Sequence, residues 1–235
     1  MSFRCLFHVH TRRSFDSLLA PRKIVARARE LGVHVLIVTD HNTIQGSLDV
    51  RTVAEGNPPL VVTAAEYQSE KGDIIGIFLR DEIRSRRSDE IIRQIHAQGG
   101  LVVLPHPYKG HLLDDQLLAG VDLIESYNAR CSESDNAYAG HLAEQRDRPF
   151  LAGADAHCSL ELGAALNVFM ADAPPSEAEC REHLLHAPRR VITERAPRIC
   201  RPFSQMVKAV KTGNPGLFLY QAKRLTLALA RGDKQ

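Results

Sequence analysis

The sequence predicts a compact α/β barrel followed by a short helical extension, and three observations point to it. Short apolar runs alternate with segments of helical period, as parallel strands linked by helices do. Several runs stop abruptly at a histidine or a carboxylate. Seven or eight such runs within about 200 residues suit one barrel better than two domains in a chain of 235 residues.

The first run, Arg4 to Val9, leads into His10, and Pro21 to Leu31 follows as a helix with Pro21 in its first turn and Gly32 as its stop. Val33 to Val38 passes through Thr39 into Asp40 and His41. Leu60 to Ala65 runs into Glu66, and Ile74 to Leu79 starts after Asp73. A helix over Ser88 to Gln98, closed by Gly99 and Gly100, precedes Leu101 to Leu104, which reaches His106 through Pro105. Val121 to Ile124 ends at Glu125 and Phe150 to Ala154 ends at Asp155; Leu166 to Met170 and Val191 to Thr193 complete the sheet. Pro174 and Pro175 mark a turn or short linker. Beyond Arg201 the pattern becomes helix, Gly213-Asn214-Pro215-Gly216 turn, helix, with Leu217 to Ala230 apolar on more than one face. Residues 1–200 are therefore expected to form the barrel, and 201–235 a basic helical extension packed on it.

Hydrophobic residues at 44% and charged residues at 25% exclude a disordered or fibrous chain. From Arg201 onward seven lysines or arginines face one aspartate, +6 within a formal total of +2, so the preceding body carries −4. Five cysteines, odd in number and without a Cys-x-x-Cys pair, argue against a disulfide scaffold or a thiolate zinc site and fit a reducing compartment. No run approaches the roughly 20 apolar residues that span a bilayer. The expected location is cytoplasmic, with no membrane partner.

In a barrel the carboxyl ends of the strands share one face, so residues distant in sequence converge there. His8 and His10 share a side of their strand because alternate residues do. A lone His-x-His is a weak signal. Asp16, Asp40, His41, Glu66, His106, Asp155 and His157 strengthen it, nearly all at or just past the end of an apolar run. Converging buried charges need a cation or a partner, and mixed imidazole and carboxylate donors suit Zn, Mn or Fe.

These residues carry a resemblance. His8-Val9-His10 with Ser14-Phe15-Asp16-Ser17, Thr39-Asp40-His41, His106-Pro107 and Gly153-Ala154-Asp155-Ala156-His157 resemble, in order, the four motifs of the PHP (polymerase and histidinol phosphatase) domain, over roughly Phe3 to Gly163. The resemblance implies a distorted TIM-like (β/α)7 barrel and a phosphoesterase with two or three divalent transition-metal ions. It implies His8, His10, Glu66 and Asp155 on one ion, Asp16, His41 and His157 on another, and Glu66 bridging to a third with His106. Many members have a histidine where this chain has Asp73, which is retained as a ligand candidate.

A water bridging two or three cations loses a proton near neutral pH, and the same cations align phosphoryl oxygens for in-line displacement. Arg12, Arg13 and Arg130 are candidates for gripping the phosphate, because a guanidinium offers a planar fork matched to its oxygens. His157 is a candidate for protonating the leaving group, besides its place as a ligand. Asn128 hydrogen-bonds substrate or caps a turn. Asp40 is expected to orient an imidazole rather than ligate, and Cys158 to be a packed residue rather than a nucleophile. His34, His96, His111, His141, His183 and His186 lie outside the motifs and are expected to be structural or exposed.

The expected substrate is a small phosphorylated metabolite or nucleotide. Two alternatives stand beside it: a nuclease acting on nucleic-acid ends, with the cationic tail supplying phosphate contacts, and a non-catalytic metal-binding domain. A cationic helix is more often a solvated face, and Phe203, Phe218 and Tyr220 are the tail's only aromatics.

Overall fold

In a computed structural model that describes residues 2–171 and 175–231, nine strands form one sheet. β1 (Ser2–Val9), β2 (Val35–Val38), β3 (Leu60–Ser69), β4 (Gly72–Ile77), β5 (Leu101–Leu104), β6 (Leu123–Asn128) and β7 (Phe150–Gly153) follow one another around a barrel wall. The wall closes where the chain beyond β7 meets β1: Ala154 N donates to Phe7 O at 3.0 Å, Ala156 N to His8 O at 3.1 Å, and His10 N to Ala156 O at 2.9 Å. β8 (Ala165–Met170) pairs antiparallel with the first half of β1, and β9 (Arg189–Thr193) pairs with β8. The amide of Asn167 on β8 stands in for a strand backbone, bonding both N and O of Ala152 at 2.9 Å. The fold is the expected distorted, TIM-like α/β barrel.

The wall is not wholly parallel. Only Glu70 and Lys71 separate β3 from β4, too few for a helical crossover, so the two pair antiparallel, and β4 pairs antiparallel with β5 as well. The reversal has a use. Asp73, at the start of β4, thereby lies at the same end of the barrel as residues at the ends of the parallel strands.

The interior takes one face of every wall strand, including Phe3, Cys5 and Phe7 of β1, Val35 and Ile37 of β2, and Leu151 of β7. The opposite faces of β1 and β2, Leu6, Leu36 and Val38, pack against Ile24, Val25 and Ala28 of α1 (Pro21–Glu30). α1 forms because Pro21 sits in the first turn and Ile24, Val25 and Ala28 recur at helical spacing. α2 (Gln45–Ala54), α3 (Ser88–Ala97), α4 (Asp115–Ala119) and α5 (Glu133–Gln145) complete the outer layer, and α6 (Glu177–His186) adds Cys180 and Leu184 to the interior cluster.

The chain ends in a hairpin of α7 (Cys200–Lys211) and α8 (Pro215–Arg231). Lys211 Nζ donates to the carbonyls of Arg12 at 2.9 Å, Ser14 at 2.7 Å and Ser17 at 2.8 Å, which pins α7 to the loop after β1. Of the earlier turn signal, Pro174 lies outside the described residues, as do Asp233 and Lys234 of the basic tail. The cysteines are free thiols, and among the described residues no helix is long and apolar enough to cross a membrane.

Candidate metal centre

His8 faces the barrel interior for a reason that alternation alone does not supply. With Phe3, Cys5 and Phe7 pointing in and Leu6 pointing out, strict period-2 geometry would turn His8 out towards the helices. A register shift between Phe7 and Val9, with His8 at φ 66°, advances the phase by one residue. Val9 then packs outward, and the rings of His8 and His10 stand 5.2 Å apart at the mouth of the barrel. His106 (φ 30°) and Asp155 (φ 47°) are also left-handed. Three non-glycine residues held in a sparsely populated region at one locus mark strain stored at a functional site.

Glu66 is the hub. Its Oε1 lies 3.1 Å from His106 Nε2 and 3.5 Å from His8 Nε2; its Oε2 lies 3.1 Å from His41 Nδ1 and 3.6 Å from His10 Nε2. Asp155 Oδ1 lies 3.7 Å from His8 Nε2 and 3.5 Å from His10 Nε2, while Asp16 Oδ2 reaches His41 Nε2 at 3.5 Å and His157 Nε2 at 3.2 Å. Donor atoms gather in overlapping sets, His8 with His10 and Asp155, His8 with Glu66 and His106, and His10 with His41 and His157. Asp73 lines the pocket above them without a direct bond to the cluster.

Hydrogen bonds orient the imidazoles. His8 Nδ1 is 2.7 Å from Glu125 Oε1, so Nδ1 carries a proton and Nε2 is the nitrogen left for a cation. Ser14 Oγ donates to Asp40 Oδ1 at 2.5 Å and so accepts from His10 Nδ1 at 3.2 Å, again freeing Nε2. Asp40 thus orients a histidine through Ser14, and it also accepts from the amides of Thr11 and Ser14. His157 Nδ1 lies between Asp155 O at 2.8 Å, which would accept from it, and Arg130 Nη1 at 3.1 Å, which would donate to it, while Nε2 turns to Asp16 at 3.2 Å. Phe15 stacks on His41 at 4.5 Å and fixes the plane of its ring.

A cation fits this set. His8 Nε2, His10 Nε2, His41 Nδ1 and Asp16 Oδ1 are buried without a hydrogen-bond partner, which is unfavourable unless something else binds them. Without a cation the centre takes up protons instead. Burial alone would lower His8 and His41, but neighbouring carboxylates outweigh it: Glu125 and Glu66 raise His8 well above its usual value, and Glu66 and Asp16 push His41 up to about 10. Burial together with the facing His157 and His41 lowers His10 to about 3. A metal must therefore displace protons, and the expected result is proton release on metal addition, with affinity rising as pH rises towards about 10. Titration of metal into weakly buffered protein reads this directly, and binding without proton release would reject it.

Sequence reasoning left out several contributors. Glu125 drew no role, yet it sets the tautomer of His8, accepts from His106 N at 2.7 Å, and sits against Gly153, where any Cβ would overlap its Oε1. Its place at the end of an apolar run was the available signal. Glu125→Ala should weaken metal affinity by about 10–100-fold, and Gly153→Ala should act in the same direction. Competition against a chelating dye measures both, and unchanged affinity would remove Glu125 from this role. Lys109 places Nζ 3.5 Å from Asp155 Oδ2, and Arg201, Gln205, Gln221 and Arg224 of the terminal hairpin line the same pocket of about 220 Å³.

The arginines separate. Arg130 lines the pocket, but its guanidinium is almost wholly buried, with Nε on Glu161 Oε1 and Nη2 on Ser204 Oγ, each at 2.7 Å. Arg12 is exposed and does not line the pocket, and Arg13 is taken by Asp49 at 2.7 Å. Asn128 both closes a turn and donates to Glu125 and Asp155, at 3.0 and 3.3 Å. Cys158 is half-buried with Sγ 3.3 Å from Cys200 Sγ, and His111 outside the motifs bonds Asp73 O at 2.8 Å.

A barrel with histidines and carboxylates converging at one mouth, several of their nitrogens free and buried, defines a metal-centred α/β-barrel protein. The PHP domain profile matches residues 7–144, and a PHP-associated profile matches residues 133–187. The chain belongs to the PHP domain family.

An uncharacterised protein of Methanocaldococcus jannaschii is 34% identical over 138 residues, 52% of this chain and 81% of its own length. A second from the same organism is 32% identical over 116 residues, 44% and 49% of the two chains. Among solved structures, a two-domain protein of Bacteroides vulgatus containing a predicted PHP-like metal-dependent phosphoesterase superposes with a TM-score of 0.70 at 18% identity. That match covers 83% of this chain but 65% of the other. A lesion-specific endonuclease from Pyrococcus furiosus gives 0.58 at 16% identity, covering 81% and 58%. At such identities the likeness is one of fold.

Proposed function

We propose that this protein is a metal-dependent phosphoesterase acting on a phosphate ester of a small metabolite or nucleotide. The observation that carries the reading is the set of buried imidazole nitrogens without hydrogen-bond partners that face Glu66, Asp155 and Asp16, in a pocket also lined by Lys109, Arg201 and Arg224. His8, His10, Glu66 and Asp155 would hold one divalent ion, and Asp16, His41 and His157 another. Glu66 with His106 would serve a third, and Asp73 stands beside them. Zn, Mn and Fe suit these donors. Such ions, when bound, neutralise phosphoryl oxygens and acidify water for attack on phosphorus.

The protein's own groups do the rest. Glu125, Ser14 and the carbonyl of Asp155 each hold the second nitrogen of an imidazole, so the donors are preorganised. Lys109, Arg201 and Arg224 bring positive charge to the pocket rim, where phosphoryl oxygens would lie. Both ring nitrogens of His157 are engaged, Nδ1 by Asp155 O and Nε2 beside Asp16, which favours a ligand over a proton donor. Asp73 lines the pocket wall, and without a cation burial and then Glu66 push it up to about 6, so a bound ion would favour its charged form.

The test is release of inorganic phosphate from nucleotide and sugar phosphates with Mn or Zn, repeated after chelation. Turnover that disappears with the metal and returns on its addition is expected. Metal-loaded protein that is silent across the whole panel would reject the reading.

A further inference from the structure

Two cysteines that lie 42 positions apart in the chain meet beside the metal centre. Cys158 directly follows His157 in the loop after β7, and Cys200 is the first residue of α7. Their Sγ atoms stand 3.3 Å apart, so the ~2.0 Å of a disulfide is about 1.3 Å of movement away. The backbones that bring them together are held in place. Glu161 Oε2 accepts from the amides of His157 at 2.8 Å and Cys158 at 3.0 Å, and Cys200 O accepts from Arg130 Nη2 at 3.3 Å. Access is unequal. Cys158 is half-buried beside exposed Ser159 and Leu160, whereas Cys5, Cys131, Cys180 and Cys200 are buried. One sulfur can meet a solute while the other waits behind it, the arrangement of a reacting thiol and its resolving partner. A soft cation would also take two thiolates, with Glu161 as the third donor of the group. Glu161 is already committed, however, since Oε1 is paired with Arg130 at 2.7 Å and Oε2 holds the two amides. Bonding of sulfur to sulfur needs no third donor.

We propose that Cys158 and Cys200 form a redox-modification site, which a peroxide converts to a reversible disulfide that fastens the terminal hairpin to the loop carrying His157. With hydrogen peroxide, the Cys158 sulfur attacks one oxygen and the O–O bond breaks. That oxygen stays on sulfur as a sulfenic acid, and the other leaves as water with the thiol proton. The Cys200 sulfur then attacks Cys158, the S–O bond breaks, the S–S bond forms, and the departing hydroxyl takes the Cys200 proton as a second water. Two thiols lose two electrons and the peroxide gains them; a dithiol reductant reverses the change. In the thiol state α7 is joined to the barrel through noncovalent bonds such as those of Lys211 and the contact of Arg130 with Ser204. Arg201 and Gln205 of α7 line the pocket of the metal centre, so the new bond ties one wall of that pocket to the ligand loop. The inference requires no turnover and stands apart from the phosphoesterase reading.

The full chain, freed of metal by a chelator and treated with a small excess of hydrogen peroxide, is digested without reductant and mapped by mass spectrometry. A peptide pair joined through Cys158 and Cys200, two hydrogens lighter than the separate thiol peptides, is expected, and dithiothreitol should part it. Cys5, Cys131 and Cys180 should remain thiols at the same dose because they are buried. In Cys200→Ser the reaction should stop at the sulfenic acid, so labelling of Cys158 by dimedone should exceed that of the wild type by about tenfold or more. A cross-link over this span of chain restricts the unfolded state, so oxidation should raise the thermal unfolding midpoint by roughly 5–15 °C and reduction should return it. Cys158→Ser, at the more accessible position, should abolish the cross-link and the shift together.

Sulfinic acid at Cys158 without a cross-link in the wild type, or a disulfide drawn from any other pair at the same dose, would overturn the site. So would thiols that stay unreacted through millimolar peroxide, or a bond that joins two chains in place of the internal one. A Cys158–Cys200 bond that leaves the unfolding midpoint unmoved would refute the fastening of the hairpin.

Discussion

Asp155→Ala is expected to remove at least one bound ion per chain and to lower turnover by roughly 10²–10⁴-fold, the several kcal/mol a cation contributes to transition-state charge. Asp155 is buried, held in a left-handed backbone conformation, and placed within 3.7 Å of the free nitrogens of both His8 and His10. Burial alone would raise its pKa, but Lys109 and His8 draw it well below the usual carboxylate range, so it meets a cation as an anion at any ordinary pH. Elemental analysis of protein purified without chelators counts the ions, and phosphate release measures the rate. His10→Ala should behave alike, because His10 Nε2 faces the same carboxylate. Full activity with full metal content in either variant would end the metal-centre mechanism.

Arg130→Ala should reduce stability by about 3–5 kcal/mol, because removing one partner of a buried ion pair strands the other. The pair is Arg130 Nε with Glu161 Oε1 at 2.7 Å, with 5% and 0% of the two side chains exposed. Glu161 keeps the amides of His157 and Cys158 on its second oxygen, so the loss falls on Oε1. Arg130 also reaches Ser204, which ties α7 to the barrel beside the metal centre. Denaturant unfolding with a chelator present measures the change without the stabilisation that bound metal adds. Arg130→Lys should recover only part of it, since an ammonium cannot reproduce the fork. A loss below about 1 kcal/mol with a large rise in KM would instead make Arg130 a phosphate-gripping residue.

The runs before His10, Glu66, His106 and Asp155 were legible because a strand buried on both faces must be continuously apolar, so a polar residue at its end stands out. Leu101–Leu104 reads from the sequence with the bounds it has in the structure, and Pro21 starts α1 as its ring requires. Asp73 was legible as a residue beside a strand but not as one at the mouth of the barrel. That depended on the antiparallel turn of β4. Arg12 and Arg13 illustrate the opposite failure, since adjacency to His10 in the chain says nothing of direction once the loop turns.

By itself the sequence determined the barrel, the motif histidines and carboxylates, and the presence of a basic helical ending, because these follow from local periodicity and residue chemistry. Only the tertiary structure decided that a bulge at His8 turns its ring inward, that Glu125 and Ser14 choose tautomers, and that Arg201 and Arg224 line the pocket of the metal centre. Those facts depend on which distant backbones come within a few ångströms of one another, and periodicity along a chain carries no information about that.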